Sequence, residues 1–290
     1  MKKVFLAVVA MVGMLTSCGS QTDAVQSEVH GDYTQYVNPL MGTQSSFELS
    51  TGNTYPAIAM PWGMNFWTPR TNKIGDGWQY TYTANKIYGF EQTHQPSPWI
   101  NDYGQFSLMP VTGEVEMDER KRASWFSHKG EVALPHYYKV YLAEYDVVTE
   151  MAPTERASMF RFTFPDADSY VVVDAYDRGS SIKVIPEENK IIGYTTRNSG
   201  GVPENFKNYF VVVFDKPFTY KATFSNDVKP AKPDATVPVT LKEGQLEQTN
   251  FHTGAVIGFK TQKGEKVHAR VASSFISPEQ AELNLKELGN

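Results

Sequence analysis

From Tyr137 onward the chain is a succession of short apolar runs, each cut off by Pro, Gly, Asp or Asn. Ala157-Ser-Met-Phe-Arg-Phe-Thr-Phe164 alternates apolar and polar side chains and stops at Pro165-Asp166. Tyr170–Asp174, Lys190–Thr196, Tyr209–Phe214, Phe218–Phe224, Gly254–Phe259 and Lys266–Val271 repeat the theme. Runs of this length, rich in β-branched and aromatic residues and bounded by turn formers, predict strands. Many short strands with few helix signals predict an all-β protein built as a large antiparallel β-sandwich. The absence of strand–helix alternation argues against a parallel-sheet nucleotide fold.

One helix is predicted, at the end of the chain. Ser277 is suited to the N-cap, Pro278 to the first helical position, and Gln280 to the third position of a capping box. Ala281, Leu285 and Leu288 share one face, and Gly289 offers a stop. Coming straight after a β-sandwich, residues 277–290 read as the start of a linker helix. The expectation is that the natural protein continues beyond Asn290.

The N-terminus predicts export. Lys2 and Lys3 precede an apolar run from Val4 to Leu15, too short to span a bilayer as a mature helix. Leu15-Thr16-Ser17-Cys18, followed by Gly19, resembles a bacterial lipobox, so residues 1–18 read as a lipoprotein signal with Cys18 as the lipidated residue. The chain has one cysteine, so no internal disulfide is possible. Residues 19–31 are polar and read as a flexible tether. Residues 32–276 then form the sandwich. The expectation is an exported lipoprotein on the outer membrane, facing the periplasm or the cell surface, anchored rather than membrane-spanning.

With 41% hydrophobic and 13% aromatic residues, the body has material for a sizeable core. Net charge is −5 and the mature chain has no basic block, which argues against nucleic acid as a partner.

The residues suited to chemistry concentrate between Tyr36 and Pro110. This stretch reads poorly as regular structure and is expected to hold aromatic and amide side chains on loops fixed by Pro and Gly. Trp62, Trp67, Trp78 and Trp99, four of the five tryptophans, fall here. Sugars bind to apolar aromatic faces and to hydrogen-bonding Asn, Asp, His and Gln, and this stretch supplies both.

Val37-Asn-Pro-Leu-Met-Gly-Thr43, Gly52-Asn-Thr-Tyr-Pro56, Pro61-Trp-Gly-Met64, Gly89-Phe-Glu-Gln-Thr-His94, Asp102-Tyr-Gly104 and Leu108-Met-Pro110 occur in that order. Together they resemble the N-terminal signature of glycoside hydrolase family 92. The resemblance implies a galactose-mutarotase-like β-sandwich followed, in the family, by a helical (α/α) barrel that is absent from this chain. It also implies a calcium-dependent, inverting exo-α-mannosidase trimming mannose from the N-glycans of glycoproteins. In such enzymes a glutamic acid protonates the leaving oxygen, and calcium helps to distort the mannose ring. The acid, the base and the main calcium ligands belong to the helical domain, so no catalytic or metal-binding residue is assigned here. Asp76, Glu91 and Asp102 receive no acid or base role. The implied partners are mannose-containing glycans and, within the same molecule, the helical domain.

The resemblance makes Trp99, in Gln95-Pro-Ser-Pro-Trp99, similar to an aromatic that packs on the sugar beside the scissile mannose. This wording resembles members acting on α-1,2-linked mannose. Trp78, His94 and Asp102 complete the candidate substrate contacts. Each has a plainer reading: Trp99 and Trp78 as packing residues, His94 as a buried loop-orienting histidine, and Asp102 as a cap for the turn at Tyr103-Gly104. For His94 and Asp102 the plainer reading is preferred. Asn38 and Asn53 read as turn residues. The other histidines show no metal-ligand spacing. A stand-alone glycan-binding lipoprotein is the alternative to the enzyme.

Overall fold

The computed structural model describes residues 32–44, 54–72, 79–94, 102–229 and 237–289. Cys18, Trp78, Asp76 and Trp99 therefore lie outside the described residues, as do the signal and tether segments. Among the described residues no helix is long and apolar enough to cross a membrane.

Two large antiparallel sheets make up the described body, as the sequence predicts. The first runs, in spatial order, β1 (Phe66–Arg70), β3 (Gly89–Thr93), β4 (Ser107–Thr112), β10 (Ala167–Asp174), β17 (His252–Thr261), β14 (Tyr220–Asn226) and β15 (Thr240–Glu243). The second runs β16 (Glu247–Asn250), β11 (Ser180–Ile185), β12 (Lys190–Thr195), β13 (Asn208–Phe214), β18 (Glu265–Ser274), β9 (Ala157–Phe164), β8 (Val147–Pro153), β7 (Tyr137–Leu142) and β6 (Val132–Leu134). A two-stranded ribbon pairs β2 (Lys86–Ile87) with β5 (Ser124–Trp125).

The alternation read in β9 is the alternation of burial. Phe160, Phe162 and Phe164 are buried, while Met159, Arg161 and Thr163 are only partly so. The two sheets share one core, and aromatic edges join them. Trp67 of β1 meets Phe160 of β9 with ring centroids 4.9 Å apart, and Phe214 of β13 meets Phe259 of β17 at 5.4 Å. Burying an aromatic of this size contributes on the order of 2–3 kcal/mol.

One expectation is corrected. The stretch from Tyr36 to Pro110 is not only loops, because β1, β3 and β4 lie within it as sheet strands. Gly89–Thr93 is buried at every position, so it shows no alternation to read. Its polar residues are matched inside: Glu91 with Arg70, Gln92 with Asn208 and Ser273, Thr93 with Tyr55. Trp67 is correspondingly a core residue and not a loop aromatic.

The terminal helix, α1 (Pro278–Asn284), begins where expected. The Ser277 side chain accepts from the Gln280 N–H, and Pro278 occupies the first turn. The Ser277 hydroxyl thus supplies its half of a capping box, while the Gln280 side-chain amide donates along the helix to Asn284 Oδ1 at 2.9 Å. A 3-10 turn continues over Leu285–Leu288. Ala281 and Leu285 pack on Ala157, Val211 and Ala272, with Leu288 beside them, forming a second core on the outer face of the second sheet.

Candidate functional site

The motif residues gather at one end of the sandwich because the strand register puts them there. Phe66 pairs with Thr93, so the turn before β1 and the chain leaving β3 at His94 emerge together. Asp102 returns to the same place. Both of its carboxylate oxygens accept the His94 N–H at 3.0 Å, and Oδ1 also accepts the Tyr103 N–H at 2.8 Å. Gln79 donates more weakly to Oδ2, at 3.4 Å. Asp102 is 3% exposed. Burial, with the nearby charge of Glu91, pushes its carboxyl well above the usual range, and the N–H donors oppose that.

His94 sits against Asp102 with its side chain only 4% exposed. Its Nδ1 lies 2.7 Å from the Tyr103 carbonyl. A carbonyl oxygen only accepts, so Nδ1 carries the hydrogen and Nε2 the lone pair. Burial lowers the His94 pKa to about 4, keeping the ring neutral at physiological pH. The ring stacks on Tyr103, with centroids 5.3 Å apart, and meets the edge of Phe275 at 5.0 Å. Phe206 closes this aromatic group against Tyr103 and Phe275. Gly104 completes the turn at φ +67°, its N–H donating to the Arg197 carbonyl and its carbonyl accepting from Asn208.

Of the four candidate sugar contacts, the structure thus joins His94 and Asp102 in one buried turn. Trp78 and Trp99 fall outside the described residues. Asn38 behaves as a turn residue, its side chain accepting the Leu40 N–H.

Beneath this end lies a buried charge network that sequence reasoning missed. Arg70 Nε is 3.0 Å from Glu91, and its Nη2 donates to Glu119 and to the Tyr176 hydroxyl, each at 2.7 Å. Gln105 donates to the second oxygen of Glu91 at 2.8 Å. Burial raises the Glu91 pKa, and Arg70 counters it. Arg197 pairs with Asp177. Tyr176 and Arg178, at φ 59° and 73°, hold the adjoining turn in left-handed conformations. The available sequence signal was an Arg and a Glu inside stretches of strand length, Phe66–Arg70 and Gly89–Thr93.

Residues 36–274 match the glycosyl hydrolase family 92 N-terminal domain. The chain belongs to that family. A solved inverting mannosidase of family GH92 from Bacteroides thetaiotaomicron VPI-5482 is 47% identical, with a TM-score of 0.81 over 88% of this chain and 33% of that one. A GH92 α-mannosidase from Bacteroides thetaiotaomicron is 31% identical, with a TM-score of 0.74 over 89% of this chain and 35% of its own. A secreted glycosidase of Arthroderma benhamiae, itself uncharacterised, is 23% identical over 158 residues, which are 52% of this chain and 20% of the relative. The chain thus spans about a third of each of these solved mannosidases.

Proposed function

We propose that this chain is the substrate-facing N-terminal domain of an exo-α-mannosidase that acts by inversion on α-1,2-linked mannose of N-glycans. The observation that carries the reading is the 47% identity to an inverting mannosidase across 88% of the chain. In this reading the domain contributes Trp99 and Trp78 to the sugar pocket, His94 and Asp102 hold the turn at the ends of the 95–101 segment, and a helical domain elsewhere in the full-length protein supplies the acid and base. Two carboxyl groups roughly 6.5–9.5 Å apart are what inversion needs. Glu91 and Asp102, buried and already engaged by Arg70 and by main-chain donors, are poorly placed for that task. Calcium enters the proposal through the family alone. Among the described residues no three His, Cys, Asp or Glu side chains converge as a metal site. Lipidation at Cys18 would hold the enzyme on the outer membrane, and the secreted fungal relative agrees with export.

The test is mannose release from α-1,2-mannobiose, with calcium and then with a chelator. The full-length protein is expected to release mannose and the 290-residue chain to release none. Release by the chain alone would place the catalytic carboxylates within these residues. Glycan binding by the full-length protein without release would favour the stand-alone binding lipoprotein.

A further inference from the structure

Ile58 bridges Trp67 in antiparallel fashion, which makes residues 58–67 a hairpin with its tip at Met60–Asn65. The tip sits beyond the Phe66↔Thr93 pair, at the same end as His94 and Asp102. At this tip Trp62 is 98% exposed, flanked by the exposed Met60 and Met64. Its φ is +65°, a left-handed conformation that is rare for a bulky side chain and marks stored strain.

The surroundings enforce that conformation. Gly63 N–H donates to the Met60 carbonyl at 2.9 Å, and Met64 N–H to the Glu155 carbonyl at 2.7 Å. The Asn65 amide bridges the Thr154 and Glu155 carbonyls at 3.2 and 3.0 Å. A Cβ on Gly63 would lie 3.0 Å from the Met60 carbonyl oxygen, so a side chain there would press tightly on the turn. An indole is therefore held out in solvent on a rigid tip, with its apolar faces uncovered. Strained backbone of this kind persists where its surroundings over-determine it, and such positions cluster at ligand clamps.

We propose that Trp62 is a glycan-binding residue whose indole receives the apolar C–H face of a hexopyranose, as an aromatic contact additional to Trp99 and Trp78. A flat ring fixed by its backbone suits the C–H face of a sugar. This inference rests on the α-mannosidase reading above.

The experiment uses the full-length protein with Trp62→Ala and Trp62→Phe. On α-1,2-mannobiose, Trp62→Ala is expected to raise KM about ten-fold or more, on the scale of a lost aromatic contact, with unchanged melting temperature and partial recovery in Trp62→Phe. In parallel, 5-fluorotryptophan-labelled protein is titrated with α-1,2-mannobiose, the Trp62 signal being identified by its loss in Trp62→Phe. A saturable shift of that signal is expected. Unchanged KM together with an unshifted signal overturns the proposal. A lowered melting temperature with sugar response intact overturns it too, assigning Trp62 to protein packing. If the wild-type protein cleaves no α-mannoside, the α-mannosidase reading fails, and fluorine titrations with mannose, glucose and galactose still decide Trp62: a shift with any hexose keeps it, and none removes it.

Discussion

Asp102 and the main-chain N–H of His94 are joined by two contacts of 3.0 Å, one to each carboxylate oxygen. These two residues bound the segment 95–101, which carries Trp99. The contact therefore joins the described residues on either side of that segment. The carboxylate faces inward onto backbone donors, in a position from which it sets geometry.

Replacing Asp102 with Asn leaves the shape but presents an N–H₂ group to donors that need an acceptor. The His94 N–H would lose half of its partner in a buried place. Asp102→Asn is expected to lower unfolding free energy by about 1–3 kcal/mol in urea titrations. An unchanged urea midpoint would show that the clamp contributes nothing to stability.

Trp99→Ala separates binding from folding. On the proposed reading it weakens mannoside binding by the full-length protein by roughly 1–3 kcal/mol while the urea midpoint stays put. Unchanged kinetics in this variant would remove Trp99 from the sugar site.

His94 gives a pH signature with a definite sign. Its pKa is held at about 4 by burial, against about 6.5 for an unfolded histidine. Between those values the unfolded chain binds more protons, so stability rises with pH and is lost on acidification. The expected loss attributable to His94 is about 2–3 kcal/mol from pH 7 to pH 4. His94→Gln lacks the titration, so the stability gap between wild type and variant should narrow as the pH falls. A gap that stays constant across urea midpoints from pH 7 to pH 4 would contradict the buried neutral ring.

What could be read ahead of the structure follows from what periodicity encodes. β9 has one face in the core and one partly exposed, and its phenylalanines at every second position reveal that directly. β3 is buried throughout, and its Glu91 and Gln92 look like loop residues until Arg70, Asn208 and Ser273 are in place around them. Trp62 and Trp67 are five residues apart on one hairpin. One is 98% exposed and the other fully buried, because Trp67 bridges Ile58 and packs on Phe160. That difference is tertiary and leaves no local trace. The Asp102 turn was legible as Asp-Tyr-Gly, whereas the link to His94 required the register of two strands.

Gly104 tests the other side of the same turn. At φ +67° an added Cβ would lie 2.8 Å from Asn208 Cβ and 3.2 Å from the Phe275 ring. Gly113 has φ +80° with open space around its Cβ position. Gly113→Ala should therefore cost about 1–2 kcal/mol of backbone strain alone. Gly104→Ala should cost more, by about a further 1–3 kcal/mol of overpacking. Equal losses in thermal or urea unfolding would mean that the close approach to Asn208 relaxes freely.

Asp174 sits at the end of β10, fully enclosed, with Arg122 Nη2 2.6 Å from one oxygen and His252 Nε2 2.7 Å from the other. Burial alone would raise its pKa, but His252 and Arg122 overcome that and hold the carboxyl below the usual range. A depressed folded pKa contributes stability that is complete above the unfolded value of about 3.9 and is lost as the pH falls below it. Asp174→Asn leaves Arg122 buried without its counter-charge and is expected to cost about 3–5 kcal/mol at pH 7. The variant should also lose less than wild type between pH 5 and pH 3, because the group that takes up the proton is gone. Urea midpoints across that range decide it: parallel acid limbs in the two proteins would assign the acid sensitivity to other carboxylates.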